Sequence, residues 1–348
     1  MTVIAQIGCG YWGPNLLRNF HANPDCSVKF VAEASANRRE YVKTHFPGIA
    51  VTDNWQEILA DTEIEGIVIA TPASSHFEIA KAALESGKHV LVEKPLATNV
   101  QDAAELAELA QANSLVLMAG HTFLYNGAVR HFRGLMESGD LGQPYYLYAQ
   151  RLNLGQVRSD INVWWNLAPH DISILLYLMG DELPEGVSAT GIDYLQKGVE
   201  DVVFAQLVWP NRVSANIHVS WLDPGKVRKV TLVASRKMVV YDDMAEHKIS
   251  VLDKGFDVVP RSGDAMEYDE TAHGELVSRS GDVVFPKIEM PEPLAVEAAH
   301  FLDCIRTGAV PLSGPEHAKK VVAVLEAGQR SLAQNRQIMG VPEKVSDS

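Results

Sequence analysis

Three glycines near the N-terminus stand between an apolar run and a helix-like stretch. Gly8, Gly10 and Gly13 form the pattern G-x-G-x-x-G, which follows residues 3–7 and precedes residues 14–20. In this context the first glycine permits a tight turn, the second lets the backbone approach a pyrophosphate, and the third lets the helix pack on the strand. Free N–H groups of the first helical turn would then face the phosphates. A glycine-rich surface turn without a ligand is the alternative interpretation.

The triplet Glu93-Lys94-Pro95 is the second chemical candidate, and it directly follows the apolar residues 89–92. Pro95 has no backbone donor and restricts the conformation of Lys94. Held in this way over a ligand, the Lys94 ammonium would donate a hydrogen bond to a substrate hydroxyl. Taken alone, the triplet is equally well explained as a surface lysine beside a glutamate.

His170 is the candidate acid or base in the second half of the chain. It follows Pro169, and the apolar residues 172–179 predict a helix that begins at Asp171. At the mouth between two domains, a neutral imidazole would accept a hydroxyl proton while hydride leaves the same carbon. A histidine at a helix start is more often a cap or a packing residue when nothing else is known.

Strands and helices must alternate in the first third of the chain to position these groups. The predicted strands are residues 2–7, 27–34, around 51, 66–70, 89–92 and 115–119, and the predicted helices are residues 13–22, 37–46, 54–60, 74–86 and 99–112. Strands that are apolar on both faces are typical of a parallel sheet covered by helices, which binds ligands at the carboxyl ends of its strands. Thr71, Pro72 and His76 follow such a strand, so we expect them at the same ligand.

The second half is predicted to be mostly strands after a helix at residues 128–138. The expected strands are residues 144–154, 186–194, 201–209, 213–221, 227–234, 238–242 and 247–252, with closing helices at residues 293–306 and 315–332. Residues 209–211 and 223–225 are predicted to form hairpin turns because they combine proline with asparagine or glycine. Residues 253–283 are polar and weakly patterned, and we expect a long loop or an arm that makes oligomer contacts.

Length and composition exclude several classes of protein. A chain of 348 residues predicts two domains, and its formal net charge of −14 argues against binding to nucleic acid or to an anionic membrane. Cys9, Cys26 and Cys304 lie far apart, so neither a disulfide framework nor a metal site is expected. We expect a cytoplasmic protein with no targeting segment and no membrane span.

The glycine loop, the Thr71-Pro72 turn and the triplet around Lys94, in this order and spacing, resemble the glucose–fructose oxidoreductase/inositol dehydrogenase (Gfo/Idh/MocA) family. The resemblance implies an N-terminal Rossmann domain, placed at residues 1–122. It implies a C-terminal α/β domain at residues 123–348, with an open, mostly antiparallel sheet and closing helices that pack back on the first domain. It also implies NAD(P)-dependent oxidation or reduction of sugars and polyols, in a homodimer or homotetramer.

The same resemblance assigns catalytic residues. The general acid/base histidine of the family falls at His170, and Lys94 is its catalytic partner. Many members carry an aspartate four residues before the histidine, where this chain has Asn166. An asparagine does not titrate, so Asn166 is expected to position a substrate hydroxyl or to hydrogen-bond the histidine.

Cofactor selectivity is expected to depend on the end of the second strand. Glu33 lies at about the right distance from the glycines to bind ribose hydroxyls, but the family pattern places Ser35 in the usual aspartate position. Arg38 follows and would suit a 2′-phosphate, so we predict that NADP is at least tolerated. The expected cofactor contacts are Gly8, Gly10, Tyr11, Trp12, Gly13, Ser35, Arg38, Thr71, Pro72, His76, Glu93 and Lys94.

Within the family, residues 10–15, 125–126 and 165–171 most resemble the nucleotide-sugar branch, which acts at C3 of sugars such as UDP-N-acetylglucosamine. Arg151 and Arg158 would bind the diphosphate, although a solvated surface explains both arginines as well. The expected substrate contacts are Tyr125, Asn126, Asn153, Arg158, Asn166 and Asp171. A dehydrogenase of a free sugar or inositol and a non-catalytic sensor of cofactor or sugar are the alternatives.

Overall fold

The first half of the chain forms a parallel sheet. The computed structural model describes residues 1–259, 275–334 and 339–340. The strands of the first sheet are β1 (Thr2–Ile7), β2 (Cys26–Ala32), β3 (Ala50–Thr52), β4 (Gly66–Ile69), β5 (His89–Glu93) and β6 (Leu117–Gly120). Their order is β3-β2-β1-β4-β5-β6, and all the pairings are parallel. The order reverses at β1, and the crevice at the carboxyl ends beside such a reversal is the usual ligand site.

Helices cover both faces of this sheet. They are α1 (Gly13–Ala22), α2 (Ala36–His45), α3 (Trp55–Ala60), α4 (His76–Glu85) and α5 (Val100–Ala112). The central strand β4 is buried along its whole length, as the continuous apolar run predicts. The predicted Rossmann-like parallel sheet is confirmed.

The second half forms a sheet of nine described strands. They are β7 (Pro144–Leu154), β8 (Gly186–Ile192), β9 (Val202–Val208), β10 (Ser214–Ser220), β11 (Leu222–Ala234), β12 (Met238–Asp242), β13 (Ile249–Val259), β14 (Glu275–Val284) and β15 (Met339–Gly340). The order is β14-β13-β12-β11-β7-β10-β9-β8-β15. Strand β10 pairs with β7 in parallel, and the other described pairings are antiparallel. The predicted open, mostly antiparallel sheet is confirmed.

Four further helices complete the described fold: α6 (Gly127–Glu137), α7 (Val163–Leu178), α8 (Pro293–Thr307) and α9 (Pro315–Ala333). Helices α6, α7 and α9 share one buried apolar core with the second sheet. Helix α8 returns to the first half, where the ring of Phe301 meets that of Phe20 edge-on at 6.2 Å. The carbonyl oxygen of Ser313, between α8 and α9, accepts a 2.9 Å hydrogen bond from the Ala119 N–H. The division into domains at residue 122 stays a prediction.

The prediction that a helix begins at Asp171 is wrong, because α7 begins eight residues earlier. Asn162 caps the helix, and its side chain accepts a 3.1 Å hydrogen bond from the Trp165 N–H. Pro169 therefore lies inside the helix and His170 lies in its middle. A proline within a helix removes one backbone donor, and here α7 is held by burial against the sheet and α9 instead.

Two predictions about the second sheet are also wrong. Residues 223–225 form no hairpin turn, because β10 and β11 pair with opposite edges of β7 and the chain shifts register between Leu222 and Val227. Residues 253–259 and 275–283 form no loop, since β13 and β14 pair there as antiparallel strands. The rest of that segment, residues 260–274, lies outside the described residues. The alternative expectation, an arm that makes oligomer contacts, stays a prediction. The predicted hairpin at 209–211 does connect the antiparallel strands β9 and β10.

In the part of the chain that the structure describes, no helix has the length and apolar character of a membrane span.

Helix α9 packs against α7 through a glycine that has no room for a side chain. A Cβ at Gly328 would lie 2.5 Å from the Trp164 ring, which cannot retreat because its Nε1 donates to the Leu325 carbonyl at 2.8 Å. We expect Gly328→Ala to lower the free energy of unfolding by about 1–3 kcal/mol in urea denaturation.

The matched control is Gly134→Ala in α6, where nothing lies within 4 Å of an added Cβ. That variant should be neutral or stabilising by up to about 1 kcal/mol, because alanine is the better helix former. Equal effects in the two variants would contradict this packing.

Candidate functional site

The glycine loop has the shape that a pyrophosphate requires. Gly8 adopts φ +93°, and a Cβ there would lie 2.6 Å from the Ala70 carbonyl oxygen. A Cβ on Gly13 would lie 2.8 Å from the Gly8 carbonyl oxygen, whereas nothing lies within 4 Å of one on Gly10. Helix α1 begins at Gly13 without a side-chain cap. Pro14 has no N–H and the Asn15 N–H donates to the Trp12 carbonyl at 2.9 Å, so the Gly13 N–H is the group of this first turn that an anion would meet. The residues present therefore fit a dinucleotide, with Gly10 on the open side of the loop.

Glu33 and Arg38 both bind the backbone of this loop. The Cys9 N–H donates to Glu33 Oε2 at 2.6 Å, and the Ser35 N–H donates to Oε1 at 2.8 Å. Arg38 donates from Nε to the Cys9 carbonyl at 2.6 Å and from Nη2 to the Gly10 carbonyl at 2.7 Å. The guanidinium of Arg38 therefore holds the loop, and its role as a 2′-phosphate ligand stays a prediction. Glu33 lies at the strand end where ribose hydroxyls are usually bound.

His76 joins the two other turns at this edge of the sheet. Its Nδ1 lies 2.8 Å from the Pro95 carbonyl oxygen and its Nε2 lies 2.9 Å from that of Thr71. The ring is buried, and burial lowers its pKa. The expected direct cofactor contact by His76 stays a prediction, although both ring nitrogens face protein carbonyls. His76 fixes the Thr71-Pro72 turn relative to the loop that carries Lys94.

Lys94 extends from the first half of the molecule to α7. Its Nζ donates a 2.8 Å hydrogen bond to the backbone carbonyl of Asn166, and the peptide bond to Pro95 is cis. Burial lowers the pKa of Lys94 to about 8, against the opposing charge of Glu93. Burial likewise raises the pKa of Glu93 to about 7, against the charge of Lys94, the hydrogen bond from the Lys94 N–H and the nearby Trp12 side chain. The glycine loop, Glu93 and Lys94 are thus one contiguous group.

His170 lies one helical turn beyond Asn166, on the helix that receives Lys94. Its ring packs edge-on against Phe123 at 5.2 Å, and its buried Nδ1 has no hydrogen-bond partner in the described residues. Burial and then the charges of Lys94 and Arg151 lower the pKa of His170 well below its usual value. The imidazole is therefore neutral at pH 7 and able to accept a proton. The structure brings together the two predicted catalytic residues.

Asn166 and Asp171 have partners within the protein. Asn166 Oδ1 accepts a 3.1 Å hydrogen bond from Trp221 Nε1, so the predicted bond to His170 is not formed. Asp171 is fully buried and receives two hydrogen bonds from Arg151, at 2.9 and 3.0 Å. The predicted substrate contact by Asp171 is wrong, and so is the diphosphate contact by Arg151, because the two charges satisfy each other.

Tyr125 and Asn126 are also structural rather than exposed to a substrate. The buried Tyr125 hydroxyl lies 2.9 Å from Ser313 Oγ. Asn126 is buried and caps α6, accepting a 2.9 Å hydrogen bond from the Ala128 N–H. Their predicted contacts with substrate are therefore wrong. Both residues instead anchor the segment that follows β6.

Two predicted substrate residues have no such core role. Asn153 is half-buried near the end of β7. Arg158 pairs with Asp160 through Nε and Nη2, at 2.9 and 2.6 Å, and is partly exposed. Burial has the largest effect on the pKa of Lys94, followed by the charges of Glu93, Arg151 and Arg158. Arg158 therefore lies near the Lys94 amine. Asn153 and Arg158 remain candidates for the substrate.

The sequence interpretation missed His121 and Glu297. His121 directly follows β6 and is buried, with neither ring nitrogen hydrogen-bonded in the described residues. Glu297, on α8, accepts a 2.8 Å hydrogen bond from the Thr122 hydroxyl. His121 follows the carboxyl end of β6, which pairs with β5 at Glu93, and this position could have identified it as a site residue from the sequence. No sequence pattern could have identified Glu297, because its partner Thr122 is 175 residues away in the chain.

Both halves of the chain match models of one protein family. Residues 3–121 match the model described as an oxidoreductase family with an NAD-binding Rossmann fold, GFO_IDH_MocA. Residues 129–240 match the GFO/IDH/MocA C-terminal domain. The two matches together cover well over half of the sequence.

Similar proteins include a UDP-N-acetylglucosamine 3-dehydrogenase from Acidithiobacillus ferrooxidans, 31 % identical over 62 % of this chain and 65 % of the relative. The scyllo-inositol 2-dehydrogenase (NAD(+)) of Bacillus subtilis is 20 % identical over 88 % of each chain. The first three curated relatives are matched over only 60 %, 65 % and 66 % of their length. The crystal structure of GenD2 from gentamicin A biosynthesis, in complex with NAD, is similar in fold, with a TM-score of 0.80, 23 % identity, and coverage of 97 % of this chain and 96 % of that one.

The contacts of Arg38 lead to a test of cofactor binding. We expect Arg38→Ala to raise the Kd of NAD and of NADP alike, by about tenfold or more, because it removes two charged hydrogen bonds that shape the loop. Isothermal titration with each cofactor measures both constants. Arg39→Ala is the matched control, since Arg39 donates to the carbonyls of Glu33 and Ala34 instead. A loss confined to NADP would instead support Arg38 as a 2′-phosphate ligand.

Proposed function

Because the chain belongs to the Gfo/Idh/MocA oxidoreductase family, we propose that it transfers hydride between NAD(P) and a ring carbon of a sugar. The observation that carries this proposal is the hydrogen bond from Lys94 Nζ to the Asn166 carbonyl. It brings an amine of the cofactor-binding half within one helical turn of the His170 imidazole. A secondary alcohol between these groups would meet a proton acceptor and a cation together.

In this proposal the two side chains divide the proton chemistry. The neutral imidazole of His170 accepts the hydroxyl proton during oxidation. The Lys94 ammonium donates a hydrogen bond to the same oxygen as negative charge builds on it. The nicotinamide, when bound, takes the hydride with its electron pair. Glu93 contributes by keeping the amine more basic than burial alone would allow.

We propose a nucleotide sugar as the substrate, with oxidation at C3. The support is the relative that acts on UDP-N-acetylglucosamine and a cation, Arg158, near the catalytic amine. Arg151 is excluded as a diphosphate ligand because Asp171 neutralises it. Asn153 is the remaining candidate for a sugar hydroxyl.

A free sugar or an inositol is the second candidate substrate. The relative that acts on scyllo-inositol is matched along 88 % of this chain, and the Arg158–Asp160 pair leaves less positive charge for a diphosphate. NADH formation with UDP-N-acetylglucosamine, N-acetylglucosamine and scyllo-inositol distinguishes the two. The proposal requires the highest kcat/KM for the UDP-sugar.

Removal of either catalytic group tests the enzyme proposal itself. We expect Lys94→Met and His170→Asn each to lower kcat by about 10²–10⁴-fold, because each removes a proton-transfer or charge-stabilising group. The controls are Lys81→Met and His45→Asn, which alter surface residues elsewhere. NADH absorbance measures the rates. Unchanged turnover in both variants, or no turnover in the wild type with any sugar, would favour a non-catalytic sensor.

The pKa of Lys94 predicts the alkaline side of the pH profile. A lowered pKa means that the cation is lost as pH rises, so kcat/KM for oxidation should fall above about pH 8. Lys94→Arg should remove this fall, since a guanidinium keeps its charge. Lys88→Arg is the control, because burial also lowers the pKa of Lys88 but its amine contacts the Asp61 and Ile64 carbonyls. A rate that instead rises through pH 8 would make neutral Lys94 the base.

We propose that the chain forms a homodimer or homotetramer through the open face of the second sheet. Phe204 and Tyr146 are 54 % and 41 % exposed there, and Phe204 stacks on His218 at 4.1 Å. An aromatic patch of this kind on a sheet is typical of an interface. Phe204→Asp should lower the mass measured by sedimentation equilibrium, whereas Val310→Asp, at an exposed site elsewhere, should not. A monomeric wild type would contradict the proposal.

A further inference from the structure

A row of buried polar side chains leads away from His170, and the catalytic proposal does not use it. The first is His121, which is 2 % exposed and has two ring nitrogens without a hydrogen-bond partner in the described residues. Its ring meets that of His317 edge-on, with centroids 5.4 Å apart. Unpartnered buried nitrogens are uncommon in proteins and need a reason.

His317 connects this row to the surface. Its Nε2 lies 2.9 Å from Ser173 Oγ, and its Nδ1 lies 2.6 Å from Asp181 Oδ1. Ser173 is three residues after His170 on α7, so the two share a face of that helix. The Asp181 side chain is 38 % exposed and lies in a surface groove beside Arg133 and Glu137. The row therefore begins beside the catalytic histidine and ends at solvent.

Charges link the members of the row as well. The pKa of His170 is lowered by burial and then by the charges of Lys94, Arg151 and His121. The pKa of His121 is lowered by burial and then by the charges of His317 and Lys94. Burial would raise the pKa of Asp181, but the bond from His317 and the charges of Lys320 and Arg133 lower it overall. Asp181 is thus a carboxylate at neutral pH. His170 and His121, kept neutral by burial, lie in a row that ends at this carboxylate, and such a row is suited to passing on a proton.

Oxidation of a secondary alcohol creates the need for such a route. The C–H bond breaks and its electron pair leaves with hydride for the nicotinamide, while the O–H bond breaks and its proton bonds to an imidazole nitrogen of His170. The products are a ketone, the reduced cofactor and one proton. That proton must leave His170 before the next turnover, and a bound sugar and cofactor would cover the front of the site. His170 Nδ1 is buried and points to no acceptor of its own in the described residues.

We propose that this proton leaves His170 on the inner side, through His121, Ser173 and His317, and reaches solvent at the Asp181 carboxylate. In the reductive direction the same groups deliver a proton. The inference rests on the proposed oxidoreductase function, because the proton it moves is the one that function releases. His121, His317 and Asp181 are positioning and relay residues that do not contact the sugar.

Asp181→Asn is the first variant to test. Asparagine tolerates the left-handed backbone at this position, φ +60°, and its side-chain oxygen keeps the bond to His317. His121→Phe is the second variant and retains a planar ring. Asp140→Asn is the matched control at a surface loop. Stopped-flow absorbance follows NADH, and a pH indicator in weak buffer follows the released proton in the same mixing.

In the wild type and in Asp140→Asn, the proton should appear with NADH. In Asp181→Asn and His121→Phe, the first turnover should form NADH within about twofold of the wild-type rate, whereas proton release and steady-state turnover should fall about tenfold or more. Imidazole added to the buffer should restore part of the Asp181→Asn steady state, which a purely structural defect would not allow.

Proton release that keeps pace with NADH in Asp181→Asn would overturn the route, whether or not His121→Phe folds. A slow first turnover in Asp181→Asn at unchanged Tm would also overturn it, because the aspartate would then act on the chemistry itself. A wild type that forms no NADH with any sugar would instead refute the proposed function, and this inference with it.

Discussion

One hydrogen bond joins the two halves of the molecule where the chemistry is proposed. Lys94 belongs to the parallel sheet and Asn166 to a helix of the second half, and 2.8 Å separates the amine from the carbonyl. A buried ammonium is costly unless it is paired and hydrogen-bonded, so the amine is stable there only while α7 presents that carbonyl and Glu93 lies beside it. The state of the amine therefore depends on a contact that also joins the two halves. His170 shares the helix, which ties the base to the cation through a single rigid element.

Buried polar contacts hold each partner of this bond in place. His76 joins the Thr71 and Pro95 carbonyls on one side, and the Arg151–Asp171 pair, with Arg151 over the Phe123 ring at 4.5 Å, packs on the other. Breaking a buried ion pair is far more damaging than its net contribution suggests, because an unpaired charge remains. Most of the polar residues near the site thus serve to fix a small number of reactive groups. This arrangement also explains why few side chains are left to contact a substrate directly.

The sequence predicted the first sheet well because apolar runs alternate with helical segments, and because Gly8 and Gly13 stand where a Cβ would clash with the backbone. It failed where a residue's partner is distant in the chain. Tyr125 and Asp171 were interpreted as substrate contacts, but Ser313 and Arg151 satisfy them, and no local pattern reveals such pairs. Asp171 was taken as a helix start, although Asn162 already provided the cap. Strand β14 and the part of β13 beyond residue 252 were missed because they are largely exposed on both faces and lack the alternation that marks a half-buried strand.

The most direct test of the central claim is a crystal structure of the protein with NAD and UDP-N-acetylglucosamine. We expect one ring hydroxyl of the sugar to lie within about 3 Å of both Lys94 Nζ and a nitrogen of His170, as proton transfer requires. We also expect the pyrophosphate of the cofactor to lie at Gly10 and the first turn of α1. A sugar bound away from these two side chains, or a dinucleotide bound elsewhere than the glycine loop, would contradict it.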